Sequence, residues 1–116
     1  MAREVRSLCT TEPLDCGGVL DLGQFAALVR RCNVVLTGDT LTLHLGVAAR
    51  RPVVCLFGPT SATEIELYER GEKIVSPMEC QGCYNETCAI QPGCMESIAW
   101  EQVLTAVERW WGRKRD

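Results

Sequence analysis

Two short runs, Asn33 to Thr37 (NVVLT) and Val53 to Phe57 (VVCLF), are rich in β-branched residues and apolar on both faces. A strand with one wet face alternates apolar and polar residues, so runs that fail to alternate are covered on both sides, as parallel strands are. Parallel neighbours need a crossover of a dozen or more residues, usually a helix. Residues 38–52 supply one. Thr40 to Arg50 (TLTLHLGVAAR) has helical character and ends in Arg50, Arg51 and Pro52, which put basic groups at the negative end of the helix dipole and a breaker behind them.

The same pattern extends to both sides. Asp21-Leu-Gly-Gln24 is a cap residue with Gln three places on, followed by Leu22, Phe25, Ala26, Leu28 and Val29 at helical spacing, which predicts a helix to about Cys32. A third helix is expected at Ala62 to Arg70, capped by Ser61 with Glu64 in the box position and stopped by Gly71. Lys73 to Ser76 reads as a further short strand, and a last helix is expected from about Ile98 to Trp111, with Ile98, Val103, Leu104, Val107 and Trp111 as its apolar stripe. Weaker signals mark Ala2 to Cys9 as a helix end and Pro13 to Cys16 as a short strand. Helices alternating with strands imply an α/β fold, a parallel sheet with right-handed crossovers.

Composition bounds the function. A chain of 116 residues with 47% hydrophobic content is one globular domain, able to bury roughly two-thirds of the surface its unfolded form exposes. Twelve basic residues against fifteen acidic ones leave a formal charge of -3, which argues against nucleic acid as a partner because that would need a concentrated basic face. No apolar run approaches the roughly 20 residues of a membrane span, and Met1 to Thr10 carries charges where a secretion signal needs an apolar stretch. The expectation is a cytoplasmic protein with at most peripheral contact with the inner membrane. Eight cysteines do not change this. Cys32 and Cys55 lie at or inside apolar segments, where a thiol acts as a small hydrophobe.

In open parallel sheets ligands sit beyond the carboxyl ends of the strands, which directs attention to Thr37-Gly38-Asp39-Thr40 and Phe57-Gly58-Pro59-Thr60-Ser61. In the first, Gly38 lets a ligand approach the backbone, Thr40 begins a helix, and the amides of Thr40, Leu41 and Thr42 face outward at the positive dipole end. That arrangement suits a diphosphate. His44 lies one turn beyond Thr40, on the same face, where its ring can donate to a phosphate oxygen. Each motif taken alone is also an ordinary turn: Asp39 and Thr40 as N-cap residues, Gly38 and Gly58 as turn glycines, His44 as a satisfied core group.

Taken together, the stretch LDLGQFAALVRRCNVVLTGDTLTLHLGVAARRPVVCLFGPTSATEIELY resembles the carboxyl-terminal nucleotide-sugar domain of glycosyltransferase family 9, the ADP-heptose:lipopolysaccharide heptosyltransferases and their relatives. The resemblance rests on a D-T-x-x-x-H turn paired with a G-P-T turn about twenty residues later, each after an apolar strand, and runs from about Leu14 to the last helix, through the CM-x-x-I segment at Cys94 to Ile98. It implies a GT-B enzyme, two facing Rossmann-like domains, that transfers a sugar from an ADP- or UDP-type donor to a cell-envelope glycan or lipopolysaccharide acceptor without a catalytic metal or other cofactor. Gly38, Asp39, Thr40, Leu41, Thr42 and His44 would bind the donor diphosphate. Leu20, Gly58, Pro59 and Thr60 would form the nucleotide pocket. Many members carry glycine directly after D-T, where this chain has Leu41. The resemblance places the general base on an amino-terminal domain supplied in cis or in trans, so residues 1–116 are expected to be a single incomplete donor domain, inactive alone, with a cysteine-rich insert at 78–96. In the family's strand order, 3-2-1-4-5-6, two strands that belong between 13–16 and 33–37 are absent from this sequence, so segment 13–16 should either pair beside 33–37 or stay unpaired.

Cys80-x2-Cys83-x4-Cys88-x5-Cys94 gathers four thiols within fifteen residues, with Gly82, Pro92 and Gly93 permitting tight turns. Four thiolates suit a structural zinc ion. An iron–sulfur cluster, two local disulfides or reduced thiols fit the same residues. The tail from Trp110 to Arg115 (WWGRKR) suits either an anionic membrane surface or a helix that packs its tryptophans inward. Two other functions stay open: a non-catalytic, metal-stapled module derived from the family, and a phosphate-binding regulatory domain of the flavodoxin-like kind.

Overall fold

The computed structural model describes residues 2–113. Three strands, β1 (Val35–Gly38), β2 (Val53–Phe57) and β3 (Gly71–Val75), form a parallel sheet in the order β1-β2-β3. Helices α1 (Ala2–Leu8), α2 (Leu22–Arg31) and α3 (Leu41–Ala48) precede or connect them, and α4 (Trp100–Trp111) follows. The ladder sets Thr37 opposite Cys55 and Cys55 opposite Lys73, while Gly38 pairs with Leu56 and Phe57 with Val75.

β2 explains why the sheet is covered on both faces. Its Val53, Cys55 and Phe57 pack with Val29 of α2, Leu43 of α3, Val35 and Leu67. Val54 points the other way and packs with Ile74, Ala106 and Trp110, with Leu56 partly buried beside them. Val53, Val54, Cys55 and Phe57 are all fully buried, so the non-alternating run has the environment it predicts.

The expected capping box of α2 is present: the Gln24 amide donates to Asp21 Oδ1 at 2.8 Å and the Asp21 amide to Gln24 Oε1 at 3.0 Å. α3 ends two residues short of the predicted Arg50. Arg50 takes the left-handed conformation (φ 55°), its amide bonding Val47 O and the Arg51 amide reaching Gly46 O. This is a Schellman closure with arginine where glycine is usual.

Three expectations are corrected. Residues 62–70 do not form a helix beyond one 3-10 turn, Ala62–Glu64. The Ser61 hydroxyl pairs with Thr63 instead of capping, and Lys73 Nζ donates to the carbonyls of Ala62 and Ile65, acceptors that helical amides would otherwise need. Tyr68 and Glu69 then both take left-handed backbone conformations. Segment 13–16 forms no strand and is unpaired, the second of the two outcomes anticipated for it, and β1 is left with β2 as its one sheet neighbour among the described residues. The buried stripe of α4 is Val103, Ala106, Val107 and Trp110, joined by Ile98 from the preceding loop, whereas Leu104 and Trp111 face solvent.

Trp110 is anchored by its indole N–H to Glu72 Oε1 at 3.1 Å. Arg109 pairs with the same carboxylate, and Arg113 stacks 4.0 Å from the Trp110 ring. The inward-packing reading of the tail therefore holds for Trp110 and not for Trp111; Lys114 and Arg115 lie outside the described residues. No described helix is long and apolar enough to cross a membrane.

Candidate functional site

Because β1 and β2 are parallel and in register, the turns that follow them leave the sheet side by side at its carboxyl end. After β1, Asp39 is half-buried and Thr40 exposed; Thr40 is extended (φ -141°, ψ 177°), as an N-cap residue must be. Its hydroxyl does not cap the helix. It lies 3.1 Å from the Thr37 hydroxyl, and the Leu43 amide closes on Thr40 O at 3.0 Å. The first-turn amides of Leu41 and Thr42 are thus left without a side-chain cap, at the end of α3 where the peptide dipoles present positive charge. Leu41 is exposed, so its side chain stands at the mouth of this corner while its amide stays in place. His44 is exposed on α3, one turn further along. A Cβ on Gly38 would meet nothing nearer than Leu56 O at 3.9 Å, so the fold itself does not demand glycine there and the space beside it is open.

The second turn is engaged differently. Gly58 is buried and its carbonyl accepts the Gly82 amide at 2.9 Å; the Tyr84 amide donates to Pro59 O at 2.7 Å, and Gln81 Nε2 to Thr60 O at 3.2 Å. Gly58, Pro59 and Thr60, three of the four residues expected in a nucleotide pocket, therefore carry the cysteine loop on their carbonyls. Leu20 is half-buried immediately before the Asp21 cap of α2, the helix that packs on α3.

Electrostatics link the two turns. Burial pushes the Cys55 thiol up to about 12, with the Asp39 carboxylate adding to the effect and the Lys73 ammonium opposing it. Asp39 also contributes, behind the Glu64 hydrogen bond, to raising Tyr84 above its ordinary value. The Asp39 carboxylate thus acts on both the Cys55 thiol within β2 and the Tyr84 phenol of the cysteine loop. Sequence reasoning missed Lys73 and the Tyr84–Glu64 pair. Lys73 binds backbone carbonyls, which leave no trace in residue type, and Glu64 and Tyr84 are twenty residues apart with no motif joining them.

The four clustered cysteines are free and border a single cavity of about 190 Å³ together with Pro59. Among the described residues no three His, Cys, Asp or Glu side chains stand close enough to hold one metal ion, so the sulfurs surround the space without converging on a point in it. Leu36 and Leu56 with Ile98, Val103 and Val107 line an apolar groove of about 430 Å³, with Met95 bordering both this groove and the cysteine cavity.

The family model for glycosyltransferase family 9 (heptosyltransferase) matches residues 1–93. The chain is 31% identical over 61 residues to lipooligosaccharide heptosyltransferase 2 of Haemophilus influenzae, a match covering 53% of this chain and 16% of that protein. It is 25% identical over 81 residues to lipooligosaccharide heptosyltransferase 2 of Campylobacter jejuni, covering 67% of this chain and 26% of that one. In fold it matches the crystal structure of the glycosyl transferase family 9 protein from Veillonella parvula with a TM-score of 0.74 at 22% identity, over 94% of this chain and 32% of that chain. The matched regions thus span 16% and 26% of the curated relatives and 32% of the solved one. A family match over residues 1–93, joined to a parallel α/β sheet whose two carboxyl-end turns lie together, establishes that the chain belongs to glycosyltransferase family 9.

Proposed function

We propose that this chain is the nucleotide-diphosphate-sugar-binding portion of a heptosyltransferase-like enzyme that transfers a sugar to a lipopolysaccharide or related envelope acceptor. The observation that carries the reading is the uncapped start of α3: the amides of Leu41 and Thr42, with Thr40's hydroxyl turned back to Thr37, at the carboxyl end of a parallel sheet in a family 9 chain.

In this reading the donor diphosphate docks on those amides, and Gly38, Asp39 and Thr40 frame the corner. Breaking the sugar–phosphate bond leaves negative charge on the departing diphosphate. Fixed amide dipoles and the imidazole of His44 stabilise that charge more than they stabilise the bound donor, which lowers the barrier. Leu20, Gly58, Pro59 and Thr60 serve the nucleoside end. The base that deprotonates the acceptor belongs to an amino-terminal domain in cis or in trans. The open edge of β1, the half-exposed Leu36 on it and the adjoining apolar groove support a larger sheet and a facing domain, since such an edge is otherwise a liability.

Calorimetric titration with ADP, UDP and their sugars tests this. Saturable binding that is weakened in His44→Ala and Asp39→Ala supports a donor site. A folded chain that binds none of these ligands would instead favour a non-catalytic module derived from the family.

A further inference from the structure

We propose that Glu64 and Tyr84 read sugar hydroxyls in the donor site: the Glu64 carboxylate accepts hydrogen bonds from a vicinal diol on a sugar ring of the bound nucleotide sugar, and Tyr84 holds that carboxylate in place. This rests on the donor-binding reading and adds what the site recognises beyond the diphosphate.

Paired strands lie about 5 Å apart, and β1 sets Gly38 opposite Leu56 of β2, so the turn after β2 stands beside the Gly38–Thr42 corner. A diphosphate seated on the Leu41 and Thr42 amides carries a sugar ring on each side, the ribose on one and the transferred sugar on the other. One of the two extends toward the second turn. Glu64 ends the 3-10 turn that follows there, and Tyr84 reaches it from the cysteine loop. Asp39, in the corner itself, is near enough for its carboxylate to act on the Tyr84 phenol. Charge decides what Glu64 takes. A carboxylate repels phosphate oxygens and accepts from neutral hydroxyls, and acidic residues bind ribose hydroxyls in this way in dinucleotide sites.

Both groups are fixed before a ligand arrives. Lys73 Nζ donates to the carbonyls of Ala62 and Ile65, on either side of Glu64. The Tyr84 amide donates to Pro59 O at 2.7 Å, and its phenol accepts from the Ser61 amide at 3.1 Å and donates to Glu64 Oε2 at 2.7 Å, which leaves Oε1 to accept from a ligand. Tyr84 also holds a left-handed backbone conformation (φ 56°), a cost that non-glycine residues bear most often at ligand clamps and active sites. These bonds tie the loop down as well, yet its seat does not depend on the phenol: Gly82, Tyr84 and Gln81 already reach the carbonyls of Gly58, Pro59 and Thr60. A polar contact open to water adds little to that seat. Glu64 is exposed and Tyr84 is 53% exposed, so the pair is accessible to a ligand. Exposed polar groups held in one geometry suit recognition, because less ordering then offsets the affinity.

Calorimetric titration of the full chain compares ADP with 2′-deoxy-ADP, UDP with 2′-deoxy-UDP, and each diphosphate with its heptose or glucose conjugate. In the parent chain one of these comparisons should favour the ligand carrying the diol by about tenfold or more, the scale of a hydrogen bond to a charged group. A preference for the ribonucleotide assigns the diol to the ribose, and a preference for the conjugate assigns it to the transferred sugar. Glu64→Ala should bring that ratio close to one. Tyr84→Phe should lower it part of the way, and Glu64→Gln, which keeps one acceptor oxygen, should retain part of it. A loosened loop weakens every ligand alike and leaves the ratio unchanged, so the ratio separates recognition from a structural role. On the unmutated chain, saturation with the preferred ligand should shift the ultraviolet component that Tyr84→Phe lacks. Nucleotide binding with no such preference in the parent, an unchanged ratio in Glu64→Ala, or an unshifted Tyr84 component would each overturn the proposal and leave the donor site standing. A folded parent chain that binds no nucleotide overturns the donor reading and this one together.

Discussion

The Tyr84 phenol donates a 2.7 Å hydrogen bond to Glu64 Oε2 and accepts one of 3.1 Å from the Ser61 amide, so a single exposed hydroxyl ties the cysteine loop to the 3-10 turn after β2. The Glu64 bond is the main cause that raises Tyr84 above its ordinary value of 10, since ionising the phenol loses the donated proton and sets two anions together. The sign follows: the interaction is fully present below the ordinary tyrosine range and is lost as pH rises through the raised value. Ultraviolet titration should show the component absent from Tyr84→Phe titrating above 10 in the parent chain, and moving down in Glu64→Gln. An unchanged component in Glu64→Gln would refute the assignment.

Gly58 has no room for a side chain. A Cβ there would lie 2.6 Å from Cys94 Sγ and 2.8 Å from Met95 Sδ. Gly58→Ala should push the loop off the turn and cost about 1–3 kcal/mol, the usual penalty of overpacking. Denaturant unfolding measures the loss, and faster proteolysis within residues 78–96 locates it.

Gly71 is more tightly constrained because the obstacle is backbone. Its φ is 154° and a Cβ would fall 1.9 Å from Val53 O, across the β2–β3 ladder. Gly71→Ala should destabilise the chain by on the order of 3 kcal/mol or prevent folding, by the strain and ladder disruption such a site imposes. A thermal transition within a degree of the parent's would contradict this.

Cys55 couples stability to alkali. Its thiol is held protonated up to about 12 in the folded chain and ionises near 9 when unfolded. Stability is therefore fully present below about pH 9 and falls by about 1.4 kcal/mol per unit toward 12, because only the unfolded state releases this proton. Cys55→Ala should be less stable at neutral pH, from the volume lost, yet show a shallower alkaline decline. Parallel slopes would remove Cys55 as the cause.

His44 tests the donor corner. It is exposed and removed from both cores, so His44→Ala should leave the melting temperature nearly unchanged while weakening ADP or UDP affinity about tenfold or more, the scale of one hydrogen bond to a charged group. His44→Gln, which keeps a donor, should recover part of the loss. Equal affinity in all three proteins would take the imidazole out of the site.

Much of this arrangement was legible from residue order. Val53 to Phe57 announces a covered strand and is buried on both faces, whereas Asn33 to Thr37, with the same signal, forms a strand whose Leu36 is left half exposed at the sheet edge; Asp21 with Gln24 announces a helix start because both halves of the box lie within one turn. The corner at Gly38 to Thr42 follows from the same local chemistry, a strand end running into a cap residue. The hydroxyl pairing of Thr37 and Thr40, which leaves the amides uncapped, is a choice between two short-range partners that spacing alone does not resolve.

Residue order by itself determined the first two strands, the helix between them and the helix before them, since each is specified by neighbours within a few positions. Tertiary structure decided the rest. Ser61 and Glu64 carry a helix-start signature, yet Lys73 from β3 takes the carbonyls and Tyr84 takes the carboxylate. Likewise, the face of α4 that turns inward was settled by the fit of Ala106 and Trp110 against Val54 and Ile74, and the seat of the cysteine loop by the space Gly58 leaves for Cys94. A local signal yields whenever a distant partner offers the same backbone or side-chain group a better-satisfied bond, and such partners meet only when the chain is folded.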